Sequence, residues 1–515
     1  MTYLLGIDLG STSLKAVAFD LNGNVKASSS RPTEEHHPDA GHPERSVWKP
    51  ENIWGGTASA IRDVVTEIGD SGQIAAIAVT GMGMDGLPIG KDGEWLYPFI
   101  SWHDSRTYPQ HQWWIENVGV EKIYGICGHA ALLINTINRL MWMQAHEPDI
   151  LARTDTWLLI EDFLNFMLCG VKASDYSMAA TTQVLDSKQL TWSDELIALS
   201  GVDKRLFPPL YPSGTVLGEV HEAAAKQTGL RIGTPVVLGG HDYLMGALAA
   251  GGMEPGTLVD ITGTWEIVMS TADQPILTDE AYRTGVVWDP HVITGKYCLF
   301  IDAVAASMIE WYRNQFGQYE EEQARQSGRV VWDLLMEEAA ASGLGSGGVS
   351  FLPHISGCTC PVKDPKSHGA FVGISHNSSR GMFIRAIIEG LNYQSRQMIE
   401  AIESIGGYHP TIRAIGGTTR NTFWMQNKAD VLGRSIEISD LEEATCLGAA
   451  MKAGIGVGLY VDEAEASRQV YRPGLIYKPS PEKAEQYSRL YQEIYQPMYA
   501  AMKPIHHTIF RLFRG

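Results

Sequence analysis

The sequence predicts an α/β protein in which two large domains close on a cleft, and three observations carry that prediction. A short apolar strand near the N-terminus runs into a glycine- and hydroxyl-rich turn, Leu4-Leu5-Gly6-Ile7-Asp8-Leu9-Gly10-Ser11-Thr12-Ser13-Leu14-Lys15. A looser copy returns mid-chain as Leu258-Val259-Asp260-Ile261-Thr262-Gly263-Thr264-Trp265. The third observation is size: 515 residues exceed what one hydrophobic core holds, and 44% hydrophobic residues suffice for two. In each turn an Asp closes the strand, a Gly lets the backbone approach an anion, and Ser or Thr supplies hydroxyl and amide donors. Paired turns of this kind read as two jaws gripping one phosphate chain.

Taken in order, Tyr3 to Ile7 and Ala16 to Asp20 read as strands, with an Asn22-Gly23 hairpin signal after the second. A polar loop rich in Pro and His, Arg31 to Pro50, leads to a helix from Glu51 to Ile68 and then an apolar strand from Ile74 to Thr80. The alternation recurs after Gly251-Gly252-Met253-Glu254-Pro255-Gly256. That break divides the chain into a first domain, residues 1–254, and a second, residues 255–480. Residues 481–515 carry Tyr487, Leu490, Tyr491, Ile494, Tyr495, Met498 and Met502 at helical spacing, interrupted by Pro497 and Pro504. This stripe reads as a helical tail packed on the second domain or, alternatively, as the surface of a homodimer.

The formal net charge of −19 excludes nucleic acid and anionic membranes as partners, because both demand a basic surface. The expected partner is a small molecule. Six cysteines, among them Cys358 and Cys360 in one loop, are scattered without zinc-ligand spacing in a chain that needs no disulfide staple. With no secretory leader and no apolar run long enough to span a bilayer, the expected location is the cytoplasm. The loop His36-His37-Pro38-Asp39-Ala40-Gly41-His42 lacks ordered ligand spacing and reads as a mobile rim rather than a metal site.

Two G-x-G-x-x-G patterns point to no dinucleotide site. After Gly81-Met82-Gly83-Met84-Asp85-Gly86 the chain continues in turn chemistry rather than a helix, and Gly343-Leu344-Gly345-Ser346-Gly347-Gly348 precedes an apolar strand, Val349 to Leu352. No G-x-x-x-x-G-K-[ST] run is present either. The chemistry-bearing segments lie elsewhere. Gly239-Gly240-His241-Asp242-Tyr243 lifts a carboxylate on a Gly-Gly turn at the end of the strand Pro235 to Leu238, where Asp242 is either a helix cap or a catalyst. Asp85 and the run Ser101-Trp102-His103-Asp104-Ser105-Arg106 suit a polyhydroxylated substrate: carboxylates accept from vicinal hydroxyls, and an indole face covers a sugar's C–H edge.

With these segments in hand, nearly the whole chain resembles the FGGY carbohydrate kinases, of the actin/Hsp70/sugar-kinase fold. Asp8-Leu9-Gly10-Ser11-Thr12-Ser13 with Lys15 matches the first phosphate motif, and Thr262-Gly263-Thr264 the second. Asn138-Arg139-Leu140-Met141-Trp142 is similar to the family's first signature, with Arg139 where Lys is usual. The stretch from Gly369 to Glu389 is similar to the second, with Met382 where a polar residue is usual. Gly416-Gly417, Asn421, Trp424, Gln426, Ala429 to Gly433 and Glu443 to Ala450 follow the adenosine-site segment in order. Met84-Asp85-Gly86, Tyr97 to Trp102, Gly240-His241-Asp242 and Gly263 to Ile267 are similar to L-fuculokinases, whereas His103-Asp104-Ser105-Arg106 resembles the xylulokinase form.

The resemblance implies two RNase H-like, actin-like ATPase domains with a cleft between them. It implies a kinase that moves the γ-phosphate of ATP to a ketose, a pentulose or 6-deoxyhexulose, with Mg2+ as cofactor. Asp242 would be the catalytic base. Gly10, Ser11, Thr12, Ser13, Lys15, Gly263 and Thr264 would hold phosphates, Gly417 and Asn421 would line the nucleotide pocket, and Asp8 would hold Mg2+. The sugar site would draw on Asp85, Gly86, Trp102, Asp104, Asp242, Tyr243 and Trp265. A chaperone- or actin-like ATPase, or a sugar-binding homologue without catalysis, are the alternatives. The first leaves Asp242 and the Asp85, Trp102, Asp104 set without a purpose, and the second is at odds with Asp8, Thr12, Asp242 and Thr264 all being present.

Overall fold

Each half of the chain builds a sheet from three antiparallel strands and two parallel ones, with a fourth antiparallel strand, Val287–Pro290, at the edge of the second sheet. In the first half, Tyr3–Leu9 lies beside Ser13–Phe19 and Val25–Pro32 on one side, and beside the parallel strands Ile74–Gly81 and Pro235–His241 on the other. In the second, Thr257–Thr262 lies beside Trp265–Ala272 and Tyr297–Val304, and on its other side beside the parallel strands Thr411–Ile415 and Ile436–Ser439. One further antiparallel strand borders the last parallel strand of each sheet, Val216–Glu219 and Pro473–Tyr477. The repeat, approximate in sequence, is close in topology. The computed structural model describes residues 1–254 and 256–513. Pro255, which opens the second domain in the division above, and residues 514–515 of the tail lie outside the described residues.

The central strands read as near-continuous apolar runs because both of their faces are covered, the pattern of parallel sheets. Helix Pro50–Ile68 starts with Pro in its first turn and stops at Gly69 in the left-handed region, the usual asymmetry of helix ends. It buries Ile53, Trp54, Ile61 and Val64 in the core of the first half. After Ile74–Gly81 the chain enters the short strand Gly86–Gly90 rather than a helix, so the first glycine pattern sits in no nucleotide-binding turn.

The two helices that follow the last parallel strands cross over between the halves. Ala444–Gly456 packs on the first sheet, sharing a core with Leu4, Val17 and Ala78, while Asp242–Ala249 shares that core with Val259, Met269 and Ile415 of the second. The crossing is tight. A Cβ on Gly6 would collide with the carbonyl of Cys446, so the helix lies on the strand with no room for a methyl group. Gly6→Ala is therefore expected to lower stability by about 1–3 kcal/mol through overpacking. Thermal melting checks this; an unchanged melting temperature would mean that the helix can shift without cost.

The tail differs from the sequence reading in one respect. Its prolines do not interrupt it: Pro481–Leu490, a π-helical turn at Tyr491–Tyr495 and Gln496–Phe513 follow without a break, with Pro504 inside the last segment. Pro497 falls just after the wide turn, in the first turn of the last segment. Tyr487, Tyr491 and Tyr495 are buried with Tyr393 and Val431 of the second half, whereas Ile494, Ile505 and Leu512 stay exposed. Among the described residues, no helix is long and apolar enough to cross a membrane.

Candidate active site

The first glycine turn is a hairpin in which Asp8 and Lys15 are cross-strand partners. It is pinned by the Gly10 amide donating to the Ser13 carbonyl (3.1 Å) and by the Thr33 hydroxyl donating to the Gly10 carbonyl (2.8 Å). Ser11, Thr12 and Ser13 remain at least partly open to solvent, and among the described residues the amides of Ser11 and Thr12 donate to no protein acceptor. Asp8 Oδ1 is buried and has no hydrogen-bond partner among the described residues. Burial first, then the charges of Asp242 and Glu443, push the Asp8 carboxyl up to about 8, with Lys15 pulling the other way. A carboxylate so placed is short of a cation.

Asp242 stands at the end of the strand Pro235–His241 and opens helix Asp242–Ala249. The two glycines ahead of it are needed for close approach: a Cβ on Gly239 would strike the Val79 carbonyl, and one on Gly240 would strike Val292 and Ser177. Asp242 Oδ1 accepts from the Tyr243 amide at 2.6 Å and lies 2.8 Å from His241 Nδ1. No protein group bonds Oδ2 among the described residues, and the side chain is 32% exposed. The helix-cap alternative for Asp242 does not hold: His241 occupies the cap position, Asp242 is the first residue of the helix, and among the described residues no side chain caps this helix N-terminus. Burial works against protonation of His241, but the Asp242 carboxylate beside it outweighs burial and holds the imidazole above its ordinary pKa. Tyr243, expected at the sugar, turns its hydroxyl to Asp289 Oδ2 (2.8 Å) and is buried.

The polar set around Asp85 forms one wall. Asp85 accepts from Trp48 Nε1 (2.6 Å) and the Trp102 amide (3.2 Å) on Oδ2, and from Arg139 Nη2 (2.8 Å) on Oδ1. Arg139 also donates to the Met84 carbonyl, a two-pronged contact that a Lys in the usual family position has no fork to make. Met84 is held at a positive φ of 75° by these bonds and by Thr136, whose hydroxyl donates to the same carbonyl. Asp104 accepts from the Ser46 amide and from the Arg106 guanidinium. Both acids are buried, and they hold the wall together rather than offering free oxygens to the cleft. Trp102 keeps a partly exposed ring against His103, with ring centroids 3.8 Å apart. Gly86 is buried where any side chain would meet the Trp157 indole.

The second turn leads to a groove of about 1010 Å³, lined by Thr264, Ser307, Trp332, Gly417, Asn421 and Phe423 among others. Gly263 and Thr264 are docked by their carbonyls, which accept from the amides of Ala306 and Ala305. Thr262 and Thr418 hydroxyls meet at 2.8 Å and tie the turn to the segment that begins at Gly416-Gly417. Asn421 lines the groove and also caps helix Thr422–Leu432 through the Trp424 amide (3.0 Å). Trp265 opens its strand 39% exposed, outside the lining of this groove.

The two turns are less alike than the sequence suggests. Asp8 precedes Gly10 by two positions but Asp260 precedes Gly263 by three, and side chains alternate along a strand, so the two acids face opposite sides of their sheets. Asp260 is buried against Lys428, which also binds Glu266 (2.6 Å). It therefore takes no part in the phosphate turn, a correction to the expectation that an Asp ends both motifs. Trp48, Ser46 and Glu35, whose carboxylate accepts from the Ser101 hydroxyl at 2.8 Å, join the site with no local signal: their partners lie on other elements. His241 was legible only as the neighbour of Asp242.

The chain is similar along almost its whole length to known proteins. Residues 3–249 match the N-terminal domain, and residues 258–457 the C-terminal domain, of the FGGY family of carbohydrate kinases. The chain is 30% identical over 480 residues to the L-fuculokinase of Escherichia coli K12, covering 93% of this chain and 98% of that protein. It is 27% identical over 520 residues to the xylulose kinase of Bacillus subtilis, covering all of both. The crystal structure of xylulose kinase from Rhodospirillum rubrum superposes with a TM-score of 0.87 at 28% identity, over 98% of this chain and 100% of that one. The chain belongs to the FGGY family of carbohydrate kinases, phosphotransferases of the actin-like ATPase fold for which ATP is the phosphate donor.

Proposed function

We propose that the sugar is a ketose, a pentulose or 6-deoxyhexulose such as xylulose or L-fuculose, phosphorylated in the cytoplasm as a step of carbohydrate catabolism, with Mg2+ as cofactor. The observation that carries the mechanism is Oδ2 of Asp242, which no protein group bonds among the described residues, in a partly exposed carboxylate close enough to the Asp8 turn for the two charges to be felt. Asp242 accepts the proton of the attacking hydroxyl as that oxygen approaches the γ-phosphorus in line. The Ser11 and Thr12 amides and the hydroxyls of Ser11, Thr12, Ser13 and Thr264 hold phosphate oxygens. Gly417 and Asn421 line the nucleotide groove. Trp102 covers the sugar's apolar edge, and Asp85 and Asp104 keep that wall in place. The ketose assignment draws on the likeness to L-fuculokinase and xylulose kinase, and the cytoplasmic one on six free cysteines.

Asp8 fits a magnesium ligand, since its buried Oδ1 is unpartnered among the described residues and a bound cation would offset the burial and the Asp242 charge that push its carboxyl up. Bound Mg2+ would supply charge neutralisation of the phosphates. Below about pH 8 a metal at Asp8 must displace a proton. The apparent Mg2+ affinity is therefore expected to rise by as much as about tenfold per pH unit up to that point and to level off above it. Magnesium titrations at several pH values check this, and Asp8→Asn should flatten the profile.

The substrate is tested by kcat/KM across pentuloses, 6-deoxyhexuloses, hexuloses and polyols. One of the first two classes should exceed the others by about tenfold or more. Preference for glycerol or another polyol would overturn the ketose assignment.

A further inference from the structure

Lys15 faces Asp8 across the first turn, yet its ammonium is bonded elsewhere. Nζ donates to Glu443 Oε2 at 2.6 Å, a bond between the two halves of the chain. Glu443 sits just ahead of helix Ala444–Gly456 in the left-handed region, φ 52°, a conformation that a residue with a side chain adopts only where its surroundings impose it. The helix behind it has little freedom. The Cys446 carbonyl lies against Gly6 and Gly448 against the Met245 backbone, so the Glu443 carboxylate is fixed at the mouth of the first turn. The Lys15 and Glu443 side chains are 35% and 36% exposed, within reach of an incoming anion. Asp8 feels the charges of Asp242, Lys15 and Glu443 together, so three acids surround one cation where phosphates are to bind.

The geometry points to Glu443 as a positioning residue that acts through Lys15, holding the ammonium before nucleotide binds and yielding it to the phosphate oxygens of an incoming nucleotide. The inference rests on the phosphate role given to the first turn above. An ion pair this exposed is weak, so a phosphate can displace the carboxylate. The exchange also removes one tie between the halves whenever nucleotide binds.

Calorimetric titration of the full chain with ADP, in the absence of divalent metal and of sugar, tests it on four proteins: the parent, Glu443→Gln, Lys15→Met and the double variant. Glu443→Gln should bind ADP about two- to fivefold more tightly, the measured range for exposed pairs. Lys15→Met should bind more weakly, and Glu443→Gln should bring no gain on that background. In turnover with Mg-ATP, Glu443→Gln should lower KM for ATP and leave KM for sugar unchanged. An equal gain with and without Lys15 would show a general charge effect and overturn the inference, as would no gain at all or no ADP binding by the parent. ADP binding of the expected pattern in a protein that phosphorylates no ketose would overturn the ketose assignment and leave this inference standing.

Discussion

Asp242→Asn is expected to leave the fold intact and to lower turnover by about 10²-fold or more, the scale of a positioned general base. The substitution keeps the shape of the side chain, and its amide oxygen can still accept from the Tyr243 backbone as Oδ1 does now. What it removes is the basic oxygen that no protein group engages, Oδ2, at the point where a sugar hydroxyl must lose its proton. KM for ATP should change little, because the groove proposed for the nucleotide lies around Thr264, Gly417 and Asn421 on the second half. Steady-state kinetics with a turned-over sugar decide it. Near-normal turnover would reduce Asp242 to an acidic residue in the first turn of its helix, where a carboxylate contributes about 0.3–1 kcal/mol through the helix dipole.

The second large effect concerns Asp85. Asp85→Ala would leave the Arg139 guanidinium buried without its counter-charge, and breaking a buried pair in this way costs about 3–5 kcal/mol. Trp48 Nε1 and the Trp102 amide would lose their acceptor as well, so the wall that presents Trp102 should loosen. The expected result is a lower melting temperature together with a KM for sugar that rises far more than KM for ATP. Equal rises in both would mean that the sugar pocket lies elsewhere. Asp85→Asn, which retains an acceptor, should lose less stability. The pair itself is costly to bury: burial raises the Asp85 carboxyl to about 6 against the opposing pull of Arg139. Because the folded value lies above the ordinary carboxylate value of 3.8, the stability tied to protonated Asp85 is present at low pH and is lost as pH rises through about 6. That step should vanish in Asp85→Asn.

Local pattern made much of this site legible. The strand from Tyr3, the hairpin after Asn22-Gly23, helix Pro50–Ile68 and the strand carrying Asp242 all follow from apolar periodicity, glycine and proline, which act within a few residues. The reading of Asp260 failed for an equally local reason: one extra residue before Gly263 turns its side chain to the other face, where Lys428 neutralises it. The tail prolines signal a break that the structure does not make, because a π-helical turn ahead of Pro497 and tertiary packing of Tyr487, Tyr491 and Tyr495 override that signal. Lys15 with Glu443, and Asp85 with Trp48 and Arg139, had no signature because each joins segments far apart in the chain. Pairing of that kind is a product of topology, above all of the helix that crosses to the first sheet.

The central claim is that the two phosphate turns and Asp242 serve transfer to a sugar rather than hydrolysis of ATP. Release of ADP in the presence of Mg2+, measured with and without a panel of ketoses, tests it most directly. The account expects slow release without sugar and release stimulated by at least one pentulose or 6-deoxyhexulose, with the stimulation lost in Asp242→Asn. Release at the same rate with and without every sugar would contradict it.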